Sequence, residues 1–214
     1  MVEIIPAIMT ESAEEFVRQV HMLERAGVKR VHLDVADGIF VPMRTILGHP
    51  ELRRMQTNMM FDIHLMVAHP EIQCSLWCTI PSASRFIIHV EATSAFPLLR
   101  EHAKEQGKEL VAALNPETRL ERLEPIVASI DMVQFMTVHP GAQGRSFVTN
   151  VMDRVTEFHS AHPNVPIMID GGITPHTIAG CVRAGATHVV SGSYVMRATD
   201  QVRAIHELQA ASVL

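Results

Sequence analysis

The sequence predicts a closed parallel (β/α)8 barrel, the TIM-barrel architecture, in one domain spanning residues 1–214. Three observations predict it. Eight short apolar, β-branched runs of strand length recur along the chain, and stretches with helical spacing separate them. Each strand with its connection takes about 27 residues, near the minimum for a strand, a helix and two short turns. An open doubly wound sheet would use fewer strands or a glycine-rich first turn, and the first turn here, "AIMTES", has no glycine.

In chain order, the first strand is "EIIPAI" (3–8). The helix after it, "TESAEEFVRQVHMLERAG", opens on a capping residue, Thr10 or Ser12, and stops at Gly27. Further strands follow at "RVHLDV" (30–35), "MFDIHLM" (60–66), "RFIIHV" (85–90), "ELVAAL" (109–114) and "MVQFMTV" (132–138). The seventh, "VPIMID" (165–170), leads into "TPHTIAGCVRAG", a helix with Pro175 early and Gly185 at its end, and "HVVSG" (188–192) is the eighth.

Composition narrows the function classes. The chain has 214 residues, 47% hydrophobic and 19% charged, which suits one sizeable core. A net charge of −5 without a basic block, and only 5% aromatic residues, argue against nucleic-acid binding. No stretch approaches the ~20 apolar residues of a membrane span, and the N-terminal "MVEIIPAIMTESAEEF" has no signal-peptide core, so a cytoplasmic location is expected. Cys74, Cys78 and Cys181 form no disulfide framework and read as small buried hydrophobes.

In this fold, chemistry sits at the C-terminal strand ends, where polar residues need explaining. His32 and Asp34 end the second strand on one face, and Asp62 with His64 repeats the device on the third. Asp170 ends the seventh, just before Gly171 and Gly172. Singly, such a His is a hydrogen-bonded core residue and such an Asp a helix cap. Two histidines and two carboxylates converging from strand ends instead suit a divalent metal: zinc first, with iron, manganese or cobalt also fitting.

Glycines give a second signal. "HPGAQGRSF" after the sixth strand, "DGG" after the seventh and "SGS" after the eighth put free backbone N–H groups side by side, each just before an expected helix start. Such loops hold a phosphate without lysine. Any one of these glycines could serve only a tight turn, but adjacent loops on the side where barrels bind phosphate favour a shared site.

The ordered series "IIPAI", "HLDVADGIFVP", "FDIHLMV", "HVEAT", "LNPET", "FMTVHPG", "IDGGI" and "VSGS" resembles the ribulose-phosphate 3-epimerase family over nearly the whole chain. The resemblance implies one divalent metal ion on His32, Asp34, His64 and Asp170, with Asp34 and Asp170 also the two acid/base carboxylates. It implies phosphate and substrate contacts at His64, Gly141, Ala142, Gln143, Gly144, Gly171, Gly172, Gly192 and Ser193, with Ala7, Met66 and Met136 in the pocket wall. The implied reaction interconverts D-ribulose 5-phosphate and D-xylulose 5-phosphate at C3 through an enediolate, in a homo-oligomer. Removing a proton next to a ketone from one face and returning one to the other needs two groups on opposite sides.

The chain departs from the family pattern at three places. Ala7 replaces a serine, Ala36 replaces a methionine and so shrinks one wall, and Ala142-Gln143 replaces Phe-Gly ahead of Arg145. A positive φ at Gln143 would be strained, so the loop is reshaped or the side chain donates to phosphate. An epimerase of a related ketose phosphate, such as allulose 6-phosphate, and a non-catalytic phosphosugar-binding paralogue are the alternatives. Barrel phosphosugar synthases and decarboxylases carry Asp-x-Lys-x-x-Asp after the third strand, whereas this chain has Asp62-Ile63-His64 there and no lysine.

Overall fold

The computed structural model describes residues 2–141 and 147–213, and within them the apolar runs form eight parallel strands. These are β1 (Glu3–Ile8), β2 (Arg30–Ala36), β3 (Met60–Met66), β4 (Ala83–His89), β5 (Glu109–Leu114), β6 (Met132–Met136), β7 (Ile167–Asp170) and β8 (His188–Ser191). Each pairs with the next and β8 closes on β1, so the sheet is a (β/α)8 barrel with no exposed edge. β7 begins two residues later than the apolar run because Pro166 has no N–H for the ladder, though its carbonyl accepts from Val133 N–H at 3.1 Å.

The helices are α1 (Ala13–Arg25), α2 (His49–Arg54), α3 (Pro70–Trp77), α4 (Phe96–Glu105), α5 (Val151–Ala161), α6 (Ile178–Arg183), α7 (Ser193–Met196) and α8 (Gln201–Ala211). Ser12 is the cap of α1, its hydroxyl accepting from Glu15 N–H at 3.2 Å. The regular alternation fails once among the described residues. Between β5 and β6 the chain makes two 3-10 turns, Leu120–Arg122 and Val127–Ser129, where an α-helix was expected. Pro125 lies between them, and it biases Glu124 out of the α region and removes an N–H. α6 also starts at Ile178, after a turn at residues 175–177, so Pro175 precedes the helix instead of opening it.

Strand alternation sorts the core into layers. On β2 the outward Val31, Leu33 and Val35 join the large cluster under the helices, as do Phe61, Ile63 and Leu65 on β3. A separate cluster of Ile5, Ala7, Ile87, Val111, Ala113, Met132, Met168 and Val190 forms the apolar filling of the barrel. His32, Asp34, Asp62 and His64 lie between the outward residues, all four buried.

Candidate active site

Asp62 is a correction to the sequence reading. It shares a face with His64 but lies one pair lower, and it belongs to an ion-pair network at the N-terminal end of the barrel. Arg30 Nη1 donates to its Oδ1 at 2.6 Å and Arg85 Nη1 to its Oδ2 at 3.2 Å, while Arg85 Nε reaches Glu109 at 2.5 Å. Both carboxylate oxygens are held by guanidinium groups, and Oδ1 also accepts from the Ser84 hydroxyl at 3.2 Å, which ties Asp62 into this floor.

Above this floor, pairing register sets Asp34 beside His64 on β2 and β3. Asp34 Oδ1 lies 2.8 Å from His64 Nδ1 and 3.4 Å from His32 Nε2. Asp170 enters from β7, three strands round the wall by way of β1 and β8, with Oδ2 3.6 Å from His32 Nε2 and 3.7 Å from His64 Nδ1. One donor atom from each of His32, Asp34, His64 and Asp170 lies within 4.8 Å of all the others, and this buried group can hold a metal ion.

The imidazole of His32 supports that fit independently. It is fully buried, and neither ring nitrogen has a hydrogen-bond partner among the described residues. Its contacts to the carboxylates are at ion-pair range without hydrogen-bond geometry. A buried, unpartnered polar ring is costly, and a cation among two carboxylates and two imidazole nitrogens would satisfy it.

The two carboxylates have different environments. Burial alone would raise Asp34, but His32 and His64 beside it hold it well below the usual carboxylate range. Asp170 is pushed up, mainly by burial, with the Asp34 charge adding to that and the histidines opposing it. Burial lowers His32, but the neighbouring Asp34 and Asp170 carboxylates together prevail and leave it raised.

Three residues around the cluster escaped the sequence reading as site residues. Gln134 on β6 donates through Nε2 to Asp170 Oδ2 at 3.2 Å. His89, at the end of β4, sets Nε2 2.9 Å from His64 Nε2, and its Nδ1 is 3.2 Å from Glu91 Oε2. Their sequence signal was slight: a polar residue inside an apolar strand for His89 and Gln134, both buried, and a carboxylate two positions after His89 in "HVEAT" for Glu91.

A cavity opens above the cluster. Asp34, His64 and Asp170 form its base, with Ala7, Met66 and Met136 in its wall and Gly141, Gly171, Gly172, Gly192 and Ser193 at its rim. Met9, Val138, Pro140 and Ile173 complete the lining and were not anticipated. Ala36 does not line it but packs with Val41 and Met66, so the expected smaller pocket wall is a packed one. Ala142, Gln143, Gly144 and Arg145 lie outside the described residues.

The glycine loops differ from expectation in one respect. Only Gly192 abuts a helix, as the cap of α7, whereas α6 begins six residues after Gly172 and α5 ten after Gly141. The loop after β7 is instead shaped by close packing. Gly171 has φ of 112°, and a Cβ there would sit 2.4 Å from Val138 Cγ2. Among the described residues, the N–H groups of Gly171, Gly172 and Ser193 have no backbone partner.

Comparison with known proteins gives a concordant family assignment. A profile described as the ribulose-phosphate 3 epimerase family matches residues 3–196. A curated ribulose-phosphate 3-epimerase of Bacillus subtilis (strain 168) is 30% identical over 217 residues, covering 98% of this chain and 99% of the relative. The chloroplastic ribulose-5-phosphate-3-epimerase of Arabidopsis thaliana is 32% identical, covering 96% of this chain and 75% of its own. Among solved structures, a 3-hexulose-6-phosphate synthase superposes with a TM-score of 0.74 at 17% identity, covering 98% of this chain and 99% of that one, which shows a shared fold.

Proposed function

This chain belongs to the ribulose-phosphate 3-epimerase family, isomerases by class, and from that premise we propose a metal-dependent epimerase that interconverts D-ribulose 5-phosphate and D-xylulose 5-phosphate. The observation that carries the proposal is the meeting of two carboxylates, from β2 and β7, in one buried four-donor cluster at the base of the cavity.

His32, Asp34, His64 and Asp170 would hold the ion, with zinc the choice best suited to imidazole and carboxylate donors. Bound there, a divalent ion supplies positive charge that stabilises the enediolate as it develops. Asp34 removes the C3 proton from one face of ribulose 5-phosphate, and Asp170 delivers a proton to the other. Gln134 holds the Asp170 carboxylate in place through Oδ2. Gly171, Gly172, Gly192 and Ser193, with Gly141 at the rim, take the phosphate through backbone N–H groups. Met66 and Met136 give the sugar an apolar wall that limits water at C3. Ala7 offers the sugar no hydroxyl and leaves the pocket more open on β1.

The test is incubation of metal-loaded protein in D2O with ribulose 5-phosphate, and separately with allulose 6-phosphate. Deuterium should enter C3 of ribulose 5-phosphate together with formation of xylulose 5-phosphate. Faster exchange into allulose 6-phosphate would transfer the assignment to that sugar, and exchange into neither would leave a binding protein.

A further inference from the structure

One chain of contacts beyond the four-donor cluster has a fixed direction. Glu91 Oε1 accepts from Asn115 N–H at 3.0 Å and from the Thr118 hydroxyl, leaving Oε2 to face His89 Nδ1 at 3.2 Å. A carboxylate can only accept, so the proton of neutral His89 belongs on Nδ1. His89 Nε2 is then a lone pair, 2.9 Å from His64 Nε2. Among the described residues, the other group near His64 Nε2 is the Gln134 amide nitrogen at 3.5 Å, itself a donor, so His89 is the acceptor available there. Asp34 Oδ1, 2.8 Å from His64 Nδ1, is also only an acceptor, so both ends compete for the one proton of a neutral His64; with a cation between Asp34 and Nδ1 the proton goes to Nε2, and Nδ1 faces the ion with a lone pair.

We propose that Glu91 and His89 are positioning residues that set the tautomer of His64, presenting its Nδ1 lone pair to the ion. The inference rests on the reading that the cluster holds a divalent ion. Its physical basis is that an imidazole binds a metal only through an unprotonated nitrogen, while the hydrogen bond of the other nitrogen decides which one that is. Burial favours the arrangement further. His89 is fully enclosed, against Phe40 on one side and His64 on the other, with ring centroids 4.9 and 5.1 Å away, so no water competes for its nitrogens.

Glu91→Gln reverses the direction without changing shape. The new amide oxygen is claimed by Asn115 N–H and Thr118, so its NH2 faces His89 Nδ1 and drives the His89 proton to Nε2. His64 then carries its proton on Nδ1, pointing at the ion. Zinc affinity, measured by titration of chelator-treated protein, should fall by about 10- to 100-fold with the four ligands intact. In zinc-loaded wild type, 15N spectra of the histidine rings should show His89 protonated at Nδ1 and bare at Nε2. Adding His89→Gln to Glu91→Gln should recover most of the affinity, since a glutamine oxygen can accept from His64 Nε2–H whatever stands at position 91. The relay is overturned by Glu91→Gln affinity within about threefold of wild type, or by a His89 proton on Nε2 in the wild type. It is also overturned if the double variant stays weak with an unchanged melting temperature, which would assign the loss to packing. Failure of the ion reading looks different, because wild type itself would then take up no zinc, and the relay would fall with it.

Discussion

Asp34 and His64, 30 residues apart in the chain, stand in register on adjacent strands, and His64 Nδ1 lies 2.8 Å from Asp34 Oδ1. Asp170 comes to the same two histidines from across the barrel, at 3.6 and 3.7 Å. The two carboxylates thus share their imidazole partners while approaching from different walls. That relationship is what a reaction at two faces of one carbon requires.

Asparagine at either carboxylate should separate the half-reactions. It keeps an oxygen for the ion and removes the basicity. Asp170→Asn, checked for retained metal, should epimerise roughly 10²-fold or more slowly, the scale of general acid–base catalysis. It should still exchange the C3 proton of ribulose 5-phosphate with solvent through Asp34, with Asp34→Asn preferring xylulose 5-phosphate. Proton NMR in D2O follows both, and near wild-type epimerisation by either variant would refute the pairing.

His64 and Asp62 share a strand face but should fail in opposite ways. His64→Ala should lose most of the bound metal by elemental analysis and still fold, because the strand and helix layers pack without it. Asp62→Ala should cost about 3–5 kcal/mol in denaturant unfolding, because Arg30 and Arg85 lose their shared buried counter-charge. Its metal content per folded chain should not change. Equal metal in wild type and His64→Ala would remove His64 from the ligand set.

Phosphate should dominate substrate affinity. If the N–H groups of Gly171, Gly172 and Ser193 receive it, ribulose should bind far more weakly than ribulose 5-phosphate. Calorimetry with each ligand decides the point, and similar affinities would count against the glycine rim.

Gly171→Ala tests the loop itself. Its φ of 112° suits no L side chain, and the added methyl would meet Val138 at 2.4 Å. A loss of about 1–3 kcal/mol in stability is expected, together with weaker phosphate binding. Gly171→Ala combined with Val138→Ala should relieve the clash and leave the backbone strain. A single variant as stable as wild type would mean the loop has room that the packing denies it.

Strand positions were legible because their information is local. Apolar runs such as "EIIPAI" need no knowledge of their partners, and the two-residue period alone shows that His32 and Asp34 share a face. The crossover between β5 and β6 was less legible. Its residues have helical composition, yet Pro125 breaks them into two 3-10 turns.

Depth in the barrel was not legible at all. Asp62 and His64 have the same strand, the same face and the same apparent polarity, and no local pattern separates the one that binds two arginines from the one that joins the cluster. The same holds for His89 and Glu91, whose partners arrive from β3 and from the loop after β5. The sequence by itself determined which residues are strands, which faces they present and which residue types stand at the strand ends. Closure of the sheet decided the rest, because the register between neighbouring strands sets the height at which each inward side chain meets the others.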